Sequence, residues 1–158
     1  NDIPVSTLRR ELSRKPEIAY NLHPTKFEKL VGSILKDHFD CEVKHIGRSH
    51  DGGIDLILIR SNTDIVIQVK RRKSAIATEG VAVIRDLIGA MAIKDKRQGI
   101  FVTTANKFSR EAQKAVAAVV NNKKVDKIEL IDYSKLINIL QLVRNKTERP
   151  WEKLIDLS

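Results

Sequence analysis

The sequence is poor in cysteine and in aromatic residues, and it contains no long hydrophobic run. Cys41 is the only cysteine among 158 residues, so an internal disulfide and a cysteine-based zinc site are both excluded. No apolar segment approaches the roughly 20 residues of a membrane-spanning helix, which argues against a membrane partner. Four phenylalanines, two tyrosines and one tryptophan are too few for stacking on single-stranded bases to be the main mode of binding.

Positive charge exceeds negative charge along the whole sequence. Lysine and arginine number 29 against 20 aspartate and glutamate, which gives a net charge of +9. The excess is +2 over residues 1–50, +3 over 51–100 and +4 over 101–158, so it is spread rather than gathered in a basic tail. A folded basic surface for a polyanionic partner explains this charge, and so does solubility alone.

Hydrophobic periodicity predicts an α/β fold in which helices flank both faces of a central mixed β-sheet. Helices are predicted over 5–15, from about 24 to 39, and over 78–94, 110–121 and 134–144. Strands are predicted over 41–46, 54–60, 64–70, 100–104 and 128–131. We expect an N-terminal helical extension at 1–23, a main domain at 24–144 and a C-terminal tail at 145–158.

Two strands rich in β-branched residues, 54–60 and 64–70, predict a β-hairpin that carries polar residues at one end. Facing residues of an antiparallel pair have position numbers with a constant sum. A turn at 61–62 gives a sum of 123 and sets Asp55 opposite Gln68, whereas a turn at 62–63 gives 125 and sets Asp55 opposite Lys70. In both registers Gln68 and Lys70 share one face of the strand, and Asp55 lies beside them.

These residue types together indicate metal-assisted attack on a phosphate. Asp55 offers a hard anionic oxygen for Mg²⁺, and Gln68 and the backbone carbonyl of Val69 can add neutral oxygens. Lys70 can position the attacking water and neutralise negative charge that develops on the phosphate. The alternative is that Asp55 is a surface acid and Gln68 a solvent-facing strand residue. A charged residue within an apolar strand favours the functional interpretation.

At these residues the sequence resembles the PD-(D/E)xK nuclease superfamily in a D…QxK form. The resemblance extends to the Mrr-type catalytic domain of methyl-directed, type IV restriction endonucleases. It rests on FEKLVGSIL, DGGIDL, QVKRRK, RDLIGAM, GIFVTTANKFSREAQ and IELIDYSKL, which cover about residues 24–140 in the order of that family. The family's restriction-endonuclease-like fold, a mixed sheet between helices, agrees with the periodicity.

The resemblance implies roles for four side chains. Asp55 corresponds to the central metal ligand, Gln68 stands where many superfamily members have Glu, and Lys70 corresponds to the catalytic lysine. Glu28 matches the acidic residue that completes the site. From the sequence alone, the favoured explanation of Glu28 is as the partner of Thr25 in a helix capping box, and only the resemblance favours the site. The implied cofactor is Mg²⁺, for which Mn²⁺ is expected to substitute.

Contacts with DNA phosphates are predicted for basic residues near the hairpin, namely Arg71, Arg72, Lys73, His50, Lys107 and Arg110. The run from Lys70 to Lys73 also fits a solvated charge run or a localisation signal. The four histidines lack a coherent ligand spacing, so a zinc site through His45 and His50 is disfavoured.

The predicted function is a Mg²⁺-dependent endonuclease that hydrolyses double-stranded DNA, as a homodimer on its substrate. Two alternatives remain open, which are a junction-resolving or repair nuclease on the same fold and a catalytically silent DNA-binding module. The second is motivated by Gln68, since an amide in place of Glu removes one negative charge from the site. A recognition domain is expected outside this chain, and the expected location is cytoplasmic, associated with the nucleoid if the source is prokaryotic.

Overall fold

A computed structural model describes residues 3–47 and 55–148, and these residues form three layers. The middle layer is a five-stranded sheet in the order β1-β2-β3-β5-β7. Its strands are β1 (Glu42–His45), β2 (Leu56–Ile59), β3 (Ile65–Lys70), β5 (Gln98–Thr103) and β7 (Lys127–Ile131). The first three strands are antiparallel and the last three parallel, so the predicted mixed sheet is confirmed.

Helices cover both faces of the sheet, as the periodicity predicts. One face carries α1 (Val5–Arg14), α2 (Pro24–Phe39) and α5 (Tyr133–Glu148), and the other carries α3 (Val81–Ile93) and α4 (Arg110–Asn121). A 3₁₀ segment, Pro16–Asn21, joins α1 to α2. The side chains of β3 alternate between the layers, with Ile67 packing towards α2 and Val66 towards α3.

Two very short strands lie within segments for which the sequence predicts no strand. They are β4 (Thr78–Glu79) and β6 (Lys107–Phe108), which pair in parallel as a separate two-stranded sheet. The predicted helix over 78–94 therefore begins at Val81, after β4 and Gly80. Two-residue strands have no periodicity of their own, so hydrophobic patterning does not reveal them.

The N-terminal helix α1 packs into the same hydrophobic core as α2 and α5. Leu8 and Leu12 of α1 are buried in the same apolar cluster as the inner faces of those helices. The side-chain amide of Gln141 on α5 donates to the backbone carbonyl of Ser13. Helix α5 continues past the predicted end at 144 to Glu148, and the rest of the predicted tail lies outside the described residues. Within the described residues, no helix is long and apolar enough to cross a bilayer.

Candidate active site

The β2–β3 hairpin adopts the first of the two predicted registers. Leu56 pairs with Ile67 and Ile57 with Val66, so facing positions sum to 123. Continued by one residue, this register sets Asp55 opposite Gln68. Lys70 follows two residues later on the same face as Gln68 and is exposed at the end of β3.

Asp55 and Gln68 are buried polar residues, each 6% exposed. Oδ2 of Asp55 accepts a hydrogen bond from the backbone N–H of Val69 at 3.1 Å. The backbone carbonyl of Asp55 accepts from the N–H of Ile46, just beyond β1, at 3.0 Å. These bonds fix the carboxylate at the point where β1, β2 and β3 meet. A buried carboxylate in such a position requires compensation by hydrogen bonds or by a cation.

The backbone carbonyl of Val69 is directed to the side of β3 on which Asp55 lies. The next carbonyl, that of Lys70, accepts from the N–H of Thr104 at 3.2 Å and therefore points towards β5. Successive carbonyls of a strand point to opposite sides. The carbonyl of Val69 thus points away from β5, in the same direction as the Val69 N–H that binds Asp55.

Arg72, beyond the end of β3, is held by a buried carboxylate. Its Nε and Nη2 donate to the two oxygens of Glu79 at 2.9 and 2.6 Å, and Glu79 on β4 is buried. The hydroxyl of Thr103 donates to Oε2 of Glu79 at 2.6 Å. The hydrogen bond to Glu79 raises the pKa of Arg72 above its ordinary value. Arg72 and Glu79 therefore join β3, β4 and β5, and the predicted phosphate contact of Arg72 stays a prediction.

The other predicted DNA contacts occupy different environments. Nη1 of Arg71 donates to the carbonyl of Tyr20 at 3.5 Å, and its Nε is buried without a hydrogen-bond partner among the described residues. Lys73, Lys107 and Arg110 are exposed. His50 lies outside the described residues. Three of the six predicted contacts are therefore displayed to solvent.

Glu28 lies in the second turn of α2, next to β1, and is only 8% exposed. Its Oε1 lies 3.7 Å from Nδ1 of His45, the last residue of β1. The His45 ring lies against Gly32, where an added Cβ would come within 2.9 Å of Cε1. Helix α2 is capped by His23, whose Nδ1 accepts from the N–H of Thr25 at 3.1 Å. The capping-box interpretation of Thr25 and Glu28 is therefore wrong, because Thr25 already lies inside the helix.

The oxygen donors around Asp55 fit a divalent cation such as Mg²⁺. A carboxylate, an amide oxygen and a backbone carbonyl are the hard donors that this ion prefers. No group of three or more His, Cys, Asp and Glu side chains that could hold a metal occurs in 3–47 and 55–148. This finding is compatible with the D…QxK pattern, in which the amide of Gln68 stands in place of an acidic ligand and Val69 contributes only its backbone carbonyl. Glu28 comes from α2, in the helix layer on the other face of the sheet from α3 and α4. It lies beside the end of β1, where the N–H of Ile46 binds the carbonyl of Asp55.

Comparison with known proteins identifies the family of the chain and its fold. The family model of the Mrr_cat restriction endonuclease domain matches residues 19–140, which are most of the chain. The chain belongs to this family. It is also 30% identical over 107 residues to the uncharacterized protein y4cE of Sinorhizobium fredii (strain NBRC 101917 / NGR234). That match covers 61% of this chain and 27% of y4cE, so the chain spans about a quarter of this curated relative.

Solved structures share the fold at low sequence identity. The restriction endonuclease FokI has a TM-score of 0.58 at 9% identity, with 93% of this chain and 32% of FokI covered. A protein of unknown function, AF1548, has a TM-score of 0.53 at 20% identity, with 68% of this chain and 56% of AF1548 covered. The predicted restriction-endonuclease-like fold is thereby confirmed.

Two residues near the site escape prediction from the sequence. Glu79 precedes α3 with no motif around it, and only the pairing of β4 with β6 shows that it is buried. His45 ends a weakly alternating strand, and only its contact with Gly32 places it beside Glu28. A glycine in the middle of an otherwise regular helix is a usable signal, because it indicates close approach by another group.

Proposed function

We propose that this chain is the catalytic domain of a metal-dependent endonuclease that hydrolyses phosphodiester bonds in double-stranded DNA. The proposal rests chiefly on the hairpin register, which sets Asp55 opposite Gln68 with Lys70 two residues further along the same face. Membership of the restriction endonuclease family supports it. The exposed cations Lys73, Lys107 and Arg110 provide positive charge for the phosphates of the substrate.

The proposed roles follow from the chemistry of each group. A bound Mg²⁺ or Mn²⁺ would polarise the scissile phosphate and activate the attacking water. Asp55, Gln68, the carbonyl of Val69 and Glu28 would hold this ion. The exposed ammonium group of Lys70 would orient the water and neutralise the charge that develops on the phosphate. We further propose that His45 is a positioning residue, which directs the carboxylate of Glu28 through their 3.7 Å contact.

Cleavage of supercoiled plasmid with Mg²⁺ or Mn²⁺ tests this function. We expect Asp55→Asn and Lys70→Ala to reduce the cleavage rate at least about 100-fold, because each removes a charge that acts at the reacting phosphate. Asp86→Asn and Lys94→Ala, at exposed positions of the α3 segment, are matched controls that should retain wild-type rates. Methylated plasmid and a four-way junction, run in parallel, test for methylation preference and junction resolution.

Gln68→Glu addresses the catalytically silent alternative directly. If the site binds metal weakly because Gln68 is neutral, the substitution should lower the Mg²⁺ concentration that gives half-maximal cleavage. DNA binding without cleavage by both the wild type and Gln68→Glu would contradict the nuclease proposal. Cutting of both strands also requires two sites or rebinding, so we propose a homodimer on DNA. Gel filtration with and without duplex tests this, and a monomer in both conditions would contradict it.

A further inference from the structure

Three adjoining clefts form one continuous trough along the junction of α1 and α2. The central cleft runs between α2 and β1 and includes Glu28 and His45 in its wall. It shares Val5 and Ser33 with a cleft bounded by α1, α2 and α5. It shares Thr25 and Lys29 with a third cleft, at the start of α2. We call this continuous surface the α1–α2 trough.

One side of α2 lies along the trough for most of the helix. The residues of α2 in the central cleft are Thr25, Glu28, Lys29, Gly32, Ser33 and Lys36. Spacings of three and four residues place them on one helical face, opposite the core face that carries Phe27 and Ile34. From Thr25 to Lys36 this face is about 16 Å long at the helical rise of 1.5 Å per residue.

The trough carries an excess of positive charge. Its lining includes six cationic side chains, which are Arg9, Arg10, Lys26, Lys29, Lys36 and Arg144. It includes two carboxylates, of which Asp37 is bound by Nη1 of Arg9 at 2.5 Å. The other is Glu28, a proposed metal ligand. Arg10, Lys29 and Lys36 are exposed and form no ion pair among the described residues, so their charge is uncompensated.

The central cleft of the trough includes part of the candidate active site, and beyond that cleft the trough continues onto a helix that lies outside the matched family domain. Glu28 and His45 belong both to the wall of the trough and to the proposed metal site. Arg9 and Arg10 belong to α1, whereas the family match begins at residue 19. Burial of Leu8 and Leu12 docks α1 firmly, so its cations hold a fixed position relative to α2.

We propose that the α1–α2 trough binds the backbone phosphates of duplex DNA on one side of the scissile phosphate. This inference rests on the proposed function, because the duplex in the trough is continuous with the one at the active site. A length of about 16 Å corresponds to about five base pairs at 3.4 Å each. The uncompensated cations contact phosphates, so the contribution of the trough is independent of base sequence and sensitive to salt.

Fluorescence anisotropy of a labelled 24-base-pair duplex with the whole chain, in Ca²⁺ and over a series of NaCl concentrations, tests this inference. The trough variant is Arg10→Gln, Lys29→Gln and Lys36→Gln together. The control variant is Lys94→Gln, Lys123→Gln and Lys124→Gln, which removes equal charge from exposed residues that precede β5 and β7, at the opposite end of the parallel strands from Lys70. Circular dichroism establishes that both variants are folded.

We expect the trough variant to bind at least about 10-fold more weakly than the wild type at 100 mM NaCl. Its slope of log K against log[NaCl] should be shallower by about 0.9 for each lost phosphate contact, or up to about 2.7. The control variant should stay within about 3-fold of the wild type. Equal losses in the two variants would overturn the inference and leave the proposed nuclease function standing.

Two other outcomes separate the two proposals. Selective loss of binding in the trough variant, together with a wild type that does not cleave plasmid, would support the trough and contradict the nuclease function. A wild type with no measurable affinity for the duplex at 50 mM NaCl would overturn both.

Discussion

Replacement of Glu79 by glutamine should destabilise the protein far more than the loss of an exposed ion pair would. The Glu79 side chain is 1% exposed, and it receives two hydrogen bonds from Arg72 and one from Thr103. Glutamine has nearly the same shape, so Glu79→Gln removes the negative charge without leaving a cavity. The guanidinium of Arg72 then loses its counter-charge in a partly buried position.

The structure sets the expected magnitude at about 3 kcal/mol. Removal of one partner from a buried ion pair costs about 3–5 kcal/mol, whereas an exposed pair contributes about 1 kcal/mol or less. The Arg72 side chain is 36% exposed, so water can solvate part of its charge and the lower end of the range applies. A double replacement by methionine, at Arg72 and at Glu79, removes both charges and should recover part of the loss.

Urea unfolding measures this difference. With an m-value of about 2 kcal/mol/M, Glu79→Gln should lower the midpoint by about 1.5 M. Asp126→Asn is the matched control, because it breaks an ion pair to Nε of Arg97 at the same 2.9 Å but with both side chains about half exposed. Its midpoint should fall by less than about 0.5 M. A decrease for Glu79→Gln no larger than that of the control would refute the reasoning.

Three further predictions follow from local packing. Gly99→Ala should destabilise the fold by about 1–3 kcal/mol, because its Cβ would lie 2.6 Å from the sulfur of buried Met91. Gly89→Ala has open space around the added methyl group and should stabilise the fold by about 0.5–1 kcal/mol. Thermal unfolding of both variants measures the two changes. Burial raises the pKa of Tyr133 from 10.0 to about 12, so its stabilising contribution is complete below pH 10 and is lost between about pH 10 and 12. Ultraviolet titration of tyrosinate should show a late step that Tyr133→Phe abolishes, and persistence of that step would contradict the assignment. Gly32→Ala should displace the His45 ring and raise the Mg²⁺ concentration for half-maximal cleavage about 10-fold. His45→Ala should raise that concentration by a similar factor, and the control Gly89→Ala should leave it unchanged. Equal half-maximal concentrations in all variants would contradict the positioning role of His45.

The main helices and strands could be predicted because their signals are local. The periodicity of apolar residues predicted the observed bounds of α4, Arg110–Asn121, and in the structure the hydroxyl of Ser109 caps that helix. The constant sum of facing position numbers restricted the pairing of β2 with β3 to two registers. The choice between them depended on the Ser61–Thr63 turn, whose composition permits both. The β4–β6 pair depends on parallel contact between segments about 29 residues apart, and no local pattern encodes such a contact.

The part of the candidate site that lies on one hairpin could be predicted from the sequence. Asp55, Gln68 and Lys70 follow from the alternation of side chains along two strands. Assignment of Glu28 needed the family resemblance, since its position also fits a helix cap. The contacts of Arg71 and Arg72 could not be derived, because a run of cationic residues shows their charge but not where each side chain points. In the structure both side chains are engaged by protein groups, the carbonyl of Tyr20 and the carboxylate of Glu79.

The hairpin also determines how early in folding the two proposed metal ligands Asp55 and Gln68 can meet. Asp55 and Gln68 are 13 residues apart, so only a short loop must close to bring them together, at a small entropic cost. Pairing of β3 with β5 closes a longer segment that includes β4 and α3. The core of the proposed active site is therefore a low-contact-order unit, able to form before the parallel half of the sheet assembles around it.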